Sequence, residues 1–94
     1  MALEIFHRAL AKWGAPLQFM MAIEECSELI KALVKYTRSP GPETIHAICE
    51  EVADVEIMCA QLRVVFGSDK VDAIKAAKLE RLKNMLDKNE KKVI

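Results

Sequence analysis

AICEEVADVEIMCAQLRVV, residues 47–65, is apolar enough to run through the middle of a helical protein, yet it carries acids inside its apolar stripe. Ala47, Glu51, Asp54, Met58, Leu62 and Val65 follow one another in steps of three and four, the spacing of a single helix face. Glu51 and Asp54 therefore stand where a simple helical bundle would place Leu or Ile. The segment before it repeats the device. Ala22, Glu25, Leu29 and Leu33 form a comparable row, with Glu28 beside it. Glu25/Glu28 and Glu51/Asp54 are each three residues apart, so each pair points both carboxylates the same way. Glu24, Glu50 and Glu56 flank the pairs and face solvent or a cavity rim.

Working outward, the breaks in the pattern are few: Gly14-Ala15-Pro16, Ser39-Pro40-Gly41-Pro42 and Gly67-Ser68-Asp69. Four segments with helical periodicity lie between them. The first, Leu3 to Trp13, offers Leu3, Phe6, Leu10 and Trp13 as a stripe. The second runs from about Pro16, which suits a first helical turn, to Tyr36, with apolar Met20, Ile23, Ile30, Leu33 and Val34. The third starts near Pro42 or Glu43 and continues to Phe66, where Gly67 is a natural stop. The fourth, capped by Ser68 or Asp69, runs to about Lys91, and the last residues from Asn89 to Ile94 are expected to fray. No segment alternates with period two. Short connections between long helices favour antiparallel neighbours, so the expected fold is an all-α, four-helix bundle.

The bulk composition agrees. Ninety-four residues make one domain, residues 1–94, with 52% hydrophobic residues but only three Gly and three Pro. So much apolar sequence in so small a chain suggests that self-association buries part of the surface. Fourteen basic and fourteen acidic residues cancel, which removes any general attraction to nucleic acid or an anionic membrane. Cys26, Cys49 and Cys59 are odd in number, lie within helical patterns and are expected to be small core residues rather than a disulfide framework. No apolar run is long enough to span a bilayer, and the first residues are too polar for a secretory signal. A reduced, cytoplasmic setting is the expectation.

If the two acid-bearing helices pack side by side, four carboxylates meet near a helical core, which is very costly without a positive partner. A single acid-x-x-acid pair would be read as an ordinary solvated face, partnered by Lys31, Lys35 or Arg63. Two pairs on successive helices, both cutting into apolar stripes, favour a metal site. All-oxygen ligation suits Mg, with Mn possible, whereas zinc recruits His or Cys and di-iron bundles use Glu-x-x-His, which is absent. His46 and Cys49 have a spacing that could hold zinc, but no second such pair accompanies them. His7 and His46 read as surface or capping residues.

Glu24-Glu25-Cys26-Ser27-Glu28 followed by Glu51-Val52-Ala53-Asp54 resembles the paired motifs of the MazG-like, all-α nucleoside triphosphate pyrophosphohydrolases. The flanking words, Met21-Ala22-Ile23, Leu29-Ile30-Lys31-Ala32-Leu33 and Val55-Glu56-Ile57-Met58, are similar too, and the resemblance extends from about Trp13 to Met85. It implies that Glu25, Glu28, Glu51 and Asp54 bind Mg. It implies hydrolysis of (deoxy)nucleoside triphosphates between the α and β phosphorus atoms, to nucleoside monophosphate and pyrophosphate. It also implies a homodimer or homotetramer whose neighbouring subunit completes the site. Glu24, Glu25 or another ligand carboxylate could accept the proton of the attacking water.

A triphosphate also needs protein cations. Lys78 and Arg81 on the fourth segment are three apart and share a face, so both could reach one phosphate tail; the rest of that Lys-rich helix reads as a solvated face. Lys31 and Lys35 are the alternatives. Trp13 and Gln18, just before the first acid motif, are candidates for reading the base, although Trp13 also suits a core position at the end of an amphipathic helix. Two other readings remain open. One is a phosphoribosyl-ATP pyrophosphohydrolase, which shares the acid logic. The other is a non-catalytic helical module whose acids bind a basic partner or a structural cation.

Overall fold

The computed structural model describes residues 2–88, and these form four α-helices in chain order. α1 spans Ala2–Trp13, α2 Ala15–Arg38, α3 Pro42–Phe66 and α4 Ser68–Asp87. The expected continuation of α4 to Lys91 and the fraying of Asn89 to Ile94 lie outside the described residues. Every helix boundary falls where the sequence supplies a reason for it. Gly14 takes a left-handed φ of 81° between α1 and α2, with its N–H donating to Leu10 O at 2.9 Å, and Pro16 sits in the first turn of α2. Gly67, at φ 116°, stops α3: its N–H donates to Arg63 O at 2.8 Å, and α4 begins at the next residue. Between α2 and α3, the buried Thr44 hydroxyl reaches back to the carbonyls of Ser39 and Gly41, each at 3.0 Å, and folds the short connection onto the start of α3.

Among the described residues, α2 and α3 share by far the largest helix–helix interface of this all-α bundle, α1 packs on both, and α4 contacts only α3. The α2 side of the central seam is Gln18, Ala22, Glu25, Leu29, Ala32 and Tyr36, all buried or half-buried. Their steps of four and three are a heptad repeat, the pattern of an antiparallel coiled-coil hairpin. The α3 side is Thr44, Ala47, Glu51, Asp54, Met58, Gln61 and Val65. Phe19 stacks on Phe66, with ring centroids 5.3 Å apart, and ties the start of α2 to the end of α3.

The seam is narrow, and several expected core residues lie outside it. Leu3, Met20, Ile23, Ile30, Leu33 and Val34 are exposed in the protomer, and Ala32 rather than Leu33 continues the α2 row. The three cysteines are free thiols and exposed, not core residues as composition suggested. Trp13 is also not a core residue: it is 52% exposed, with the Lys12 ammonium 5.2 Å from its ring centroid. No helix among the described residues is long and apolar enough to cross a membrane.

Candidate metal centre

Antiparallel pairing of α2 and α3 brings the acids together. Glu25, Glu51 and Asp54 each offer a carboxylate oxygen, and the three oxygens lie within 4.8 Å of one another. All three residues are half-buried, because the heptad rows that carry them are the rows that pack. The electrostatic consequence is direct. The Glu25 carboxyl is held above the usual glutamate range, first by a hydrogen bond shared with Asp54, then by partial desolvation and by repulsion from Asp54, Glu51 and Glu24. Glu51 is raised as well, first by partial desolvation, then by the charge of Asp54 and a hydrogen bond to it, with smaller pushes from Glu28 and Glu50. A cation would relieve this crowding of carboxyls, and an all-oxygen set matches a hard divalent ion.

Glu28 stands apart from this trio. Its carboxylate lies 3.7 Å from the Lys31 ammonium, one turn further along α2. With Glu51, Glu50, Lys31, Ala32, Lys35 and Ala47, it lines a cleft of about 340 Å³ that opens beside the cluster. Ala32 and Ala47 are its small, half-buried lining residues. The lining thus combines acids from both helices with two lysines of α2. Glu24 is exposed on the rim, and Glu50 pairs at 3.5 Å with His46.

The remaining expected site residues are distributed more widely. Lys78 lies on an apolar groove of α4 with Val71, Ile74, Leu79 and Leu82, while Arg81 lines a separate depression with Ala77, Asn84 and Met85. Because α4 meets only α3, the protomer brings Lys31 and Lys35, rather than Lys78 and Arg81, to the acid cleft. Trp13 lines a hollow on the outer side of α1 with Ile5, Arg8 and Lys12. Gln18 is inside the seam, 2% exposed, and its Nε2 has no hydrogen-bond partner. Sequence reading passed over its counterpart. Gln61 is 7% exposed and its Oε1 is likewise unpartnered. Gln18 precedes Glu25 by seven residues and Gln61 follows Asp54 by seven, so the register that joins those acids puts the two amides at one level. That heptad spacing from the acid motifs was the signal available.

Fold and site together define a class: an all-α protein whose central helical hairpin holds a three-carboxylate cluster beside a mixed-charge cleft. Neither a scan against protein-family models nor searches of curated proteins and of solved structures matches this chain.

Proposed function

We propose that this protein is a divalent-metal-dependent nucleoside triphosphate pyrophosphohydrolase of the MazG-like, all-α kind, acting as a homo-oligomer. The observation that carries the reading is the convergence of Glu25, Glu51 and Asp54 oxygens within 4.8 Å, on two helices that also bear the paired acid motifs. Glu25, Glu51 and Asp54 would hold the metal, with Glu28 at the cleft edge as the fourth ligand. Mg or Mn, when bound, would supply charge neutralisation for phosphate and lower the pKa of water.

The chain's own residues do the rest. The acids orient the attacking water, and Glu24, which is not among the metal-holding acids, accepts its proton. Lys31 and Lys35, across the same cleft, hold the negative charge that collects on the departing pyrophosphate. Lys78 and Arg81 serve the same end from the α4 of a neighbouring subunit. Trp13, exposed at the end of α1, is assigned to the base; Gln18, expected beside it, is shut inside the seam and does not reach one.

The test is pyrophosphate release from a panel of standard and modified ribo- and deoxyribonucleoside triphosphates with Mg, Mn or EDTA. Metal-dependent formation of monophosphate and pyrophosphate is expected, lost in Asp54→Asn with helicity intact. A folded, Mg-binding protein silent across the panel would point to a phosphoribosyl-ATP substrate or to a non-catalytic helical module. Full activity in Asp54→Asn would remove the site assignment itself.

A further inference from the structure

The two lysines of the acid cleft are not equivalent. Lys31 and Lys35 lie one turn apart on the same face of α2 and both line the opening. Lys31 is engaged: its ammonium lies 3.7 Å from the Glu28 carboxylate. Lys35 is exposed and forms no ion pair among the described residues. Glu50, the other acid of the lining outside the cluster, pairs at 3.5 Å with His46 and with neither lysine. Within the cleft, Glu28 alone holds Lys31.

Glu28 is also close to the acid cluster. It lines the cleft with Glu51, and its negative charge adds to the crowding that holds the Glu51 carboxyl above the usual range. Yet it is not one of the three acids whose oxygens lie within 4.8 Å of one another. The helix supplies the reason. Glu25 comes three residues before Glu28 and Lys31 three residues after. At 1.5 Å of rise per residue, those two neighbours are about 9 Å apart along the axis. A glutamate side chain turned towards one is turned away from the other. Pairing with Lys31 keeps Glu28 out of the cluster, and joining the cluster would leave Lys31 without its partner.

We propose that Glu28 exchanges partners, holding Lys31 in the metal-free protein and releasing it when the cluster takes a divalent ion, so that Lys31 receives phosphate only then. The inference rests on the hydrolytic reading, which makes Glu28 a ligand and Lys31 a phosphate contact, and it adds the link between them. Lys35 is the standing cation of the cleft and Lys31 the conditional one. A polyphosphate without metal meets Lys35 beside uncompensated acids; one with metal meets both ammonium groups. The link is reciprocal: a metal on Glu28 and an anion on Lys31 strengthen each other's binding by one factor. The Glu28 and Lys31 side chains are largely in solvent, so the exchange changes affinity a few-fold, not by orders of magnitude.

Calorimetric titration of the full chain with inorganic pyrophosphate, at low ionic strength and in either EDTA or Mg, tests it. Pyrophosphate is the probe because it is a product of the proposed reaction and not its substrate. In EDTA, Lys35→Met is expected to weaken binding about fivefold and Lys31→Met less than about twofold. In Mg, Lys31→Met should weaken it about fivefold as well. Glu28→Gln should release Lys31 without metal, so Lys31→Met added to that variant in EDTA should again weaken binding about fivefold. Glu50→Gln removes an equal charge from the same lining and should leave the Lys31 effect small. That contrast separates release of a partner from general relief of repulsion. A Lys31→Met effect of one size in EDTA, in Mg and beside Glu28→Gln would overturn the inference. So would a protein that binds no pyrophosphate in Mg, or a Glu28→Gln variant that binds none in EDTA. None of these titrations needs turnover. A uniform Lys31 effect in a protein that hydrolyses triphosphates with Mg would remove the exchange and leave the proposed function standing.

Discussion

At Glu25 the protein holds a carboxyl in conditions that favour its protonated form, and this has a measurable consequence. Glu25 and Glu51 both have folded-state pKa values above the ordinary glutamate value of 4.5. A carboxyl of this kind stabilises the folded state below its unfolded pKa, and that contribution is lost as pH rises through the folded value. The metal-free protein should therefore lose melting temperature as pH rises from the ordinary value of 4.5 through the raised folded-state values of these two groups. Glu25→Gln, which removes one of them and its repulsion with Asp54, should show a smaller loss over the same range in EDTA. Parallel wild-type and variant profiles would contradict the crowding argument. Adding Mg at pH 7.5 should recover the wild-type melting temperature more than that of the variant. All three clustered acids, Glu25, Glu51 and Asp54, were legible as interruptions of apolar rows. The separation of Glu28 was not legible. Its helical position is compatible with the cluster, and the nearby Lys31 ammonium, a long and mobile neighbour, gives its carboxylate another partner.

At the scale of the helices, the α2–α3 seam contains an apparent inconsistency in the two buried amides. Gln18 Nε2 and Gln61 Oε1 are unpartnered inside an otherwise apolar stretch of the seam, a condition that costs about 1–3 kcal/mol per group. Replacing both by apolar residues of similar shape, Gln18→Met with Gln61→Leu, removes that cost and should stabilise the fold. A gain of about 1 kcal/mol would raise the melting temperature by about 4–8 °C for a domain of this size. If the amides instead serve the substrate, the same double variant should lose turnover while gaining stability, the usual trade at a functional site. Unchanged or lower melting temperature would mean that the amides satisfy each other in solution. The helices themselves were almost fully readable, since Gly14, Pro16, Gly41, Pro42 and Gly67 each act locally on the backbone. The seam's α2 row was read less accurately. Leu33 and Ala32 are adjacent, and only the heptad register with α3 decides that Ala32 turns inward.

For the molecule as a whole, apolar periodicity identifies a helix face but does not say whether the protomer covers it. Met20, Ile23, Ile30 and Val34 read as core in the sequence and are exposed in the protomer. The same limit applies to α4, which among the described residues has α3 as its helical neighbour. One side chain ties the two at their junction. Arg63 Nη1 lies 2.6 Å from Asp72 Oδ1 and 3.2 Å from Ser68 Oγ, which fastens the first turns of α4 to the last turn of α3. Asp72 is largely exposed, so this fastening is worth about 1 kcal/mol rather than several. Arg63→Met keeps the apolar stem and removes the guanidinium. Amide hydrogen exchange should then be about fivefold faster across α4. Amides on the α2–α3 seam should remain the slowest in both proteins, because Gln18, Ala22, Thr44, Met58 and Gln61 are buried there, whereas α4 buries Met85 alone among its described residues. Equal rates in α4 with and without Arg63 would show that its own packing, not this bridge, sets its attachment.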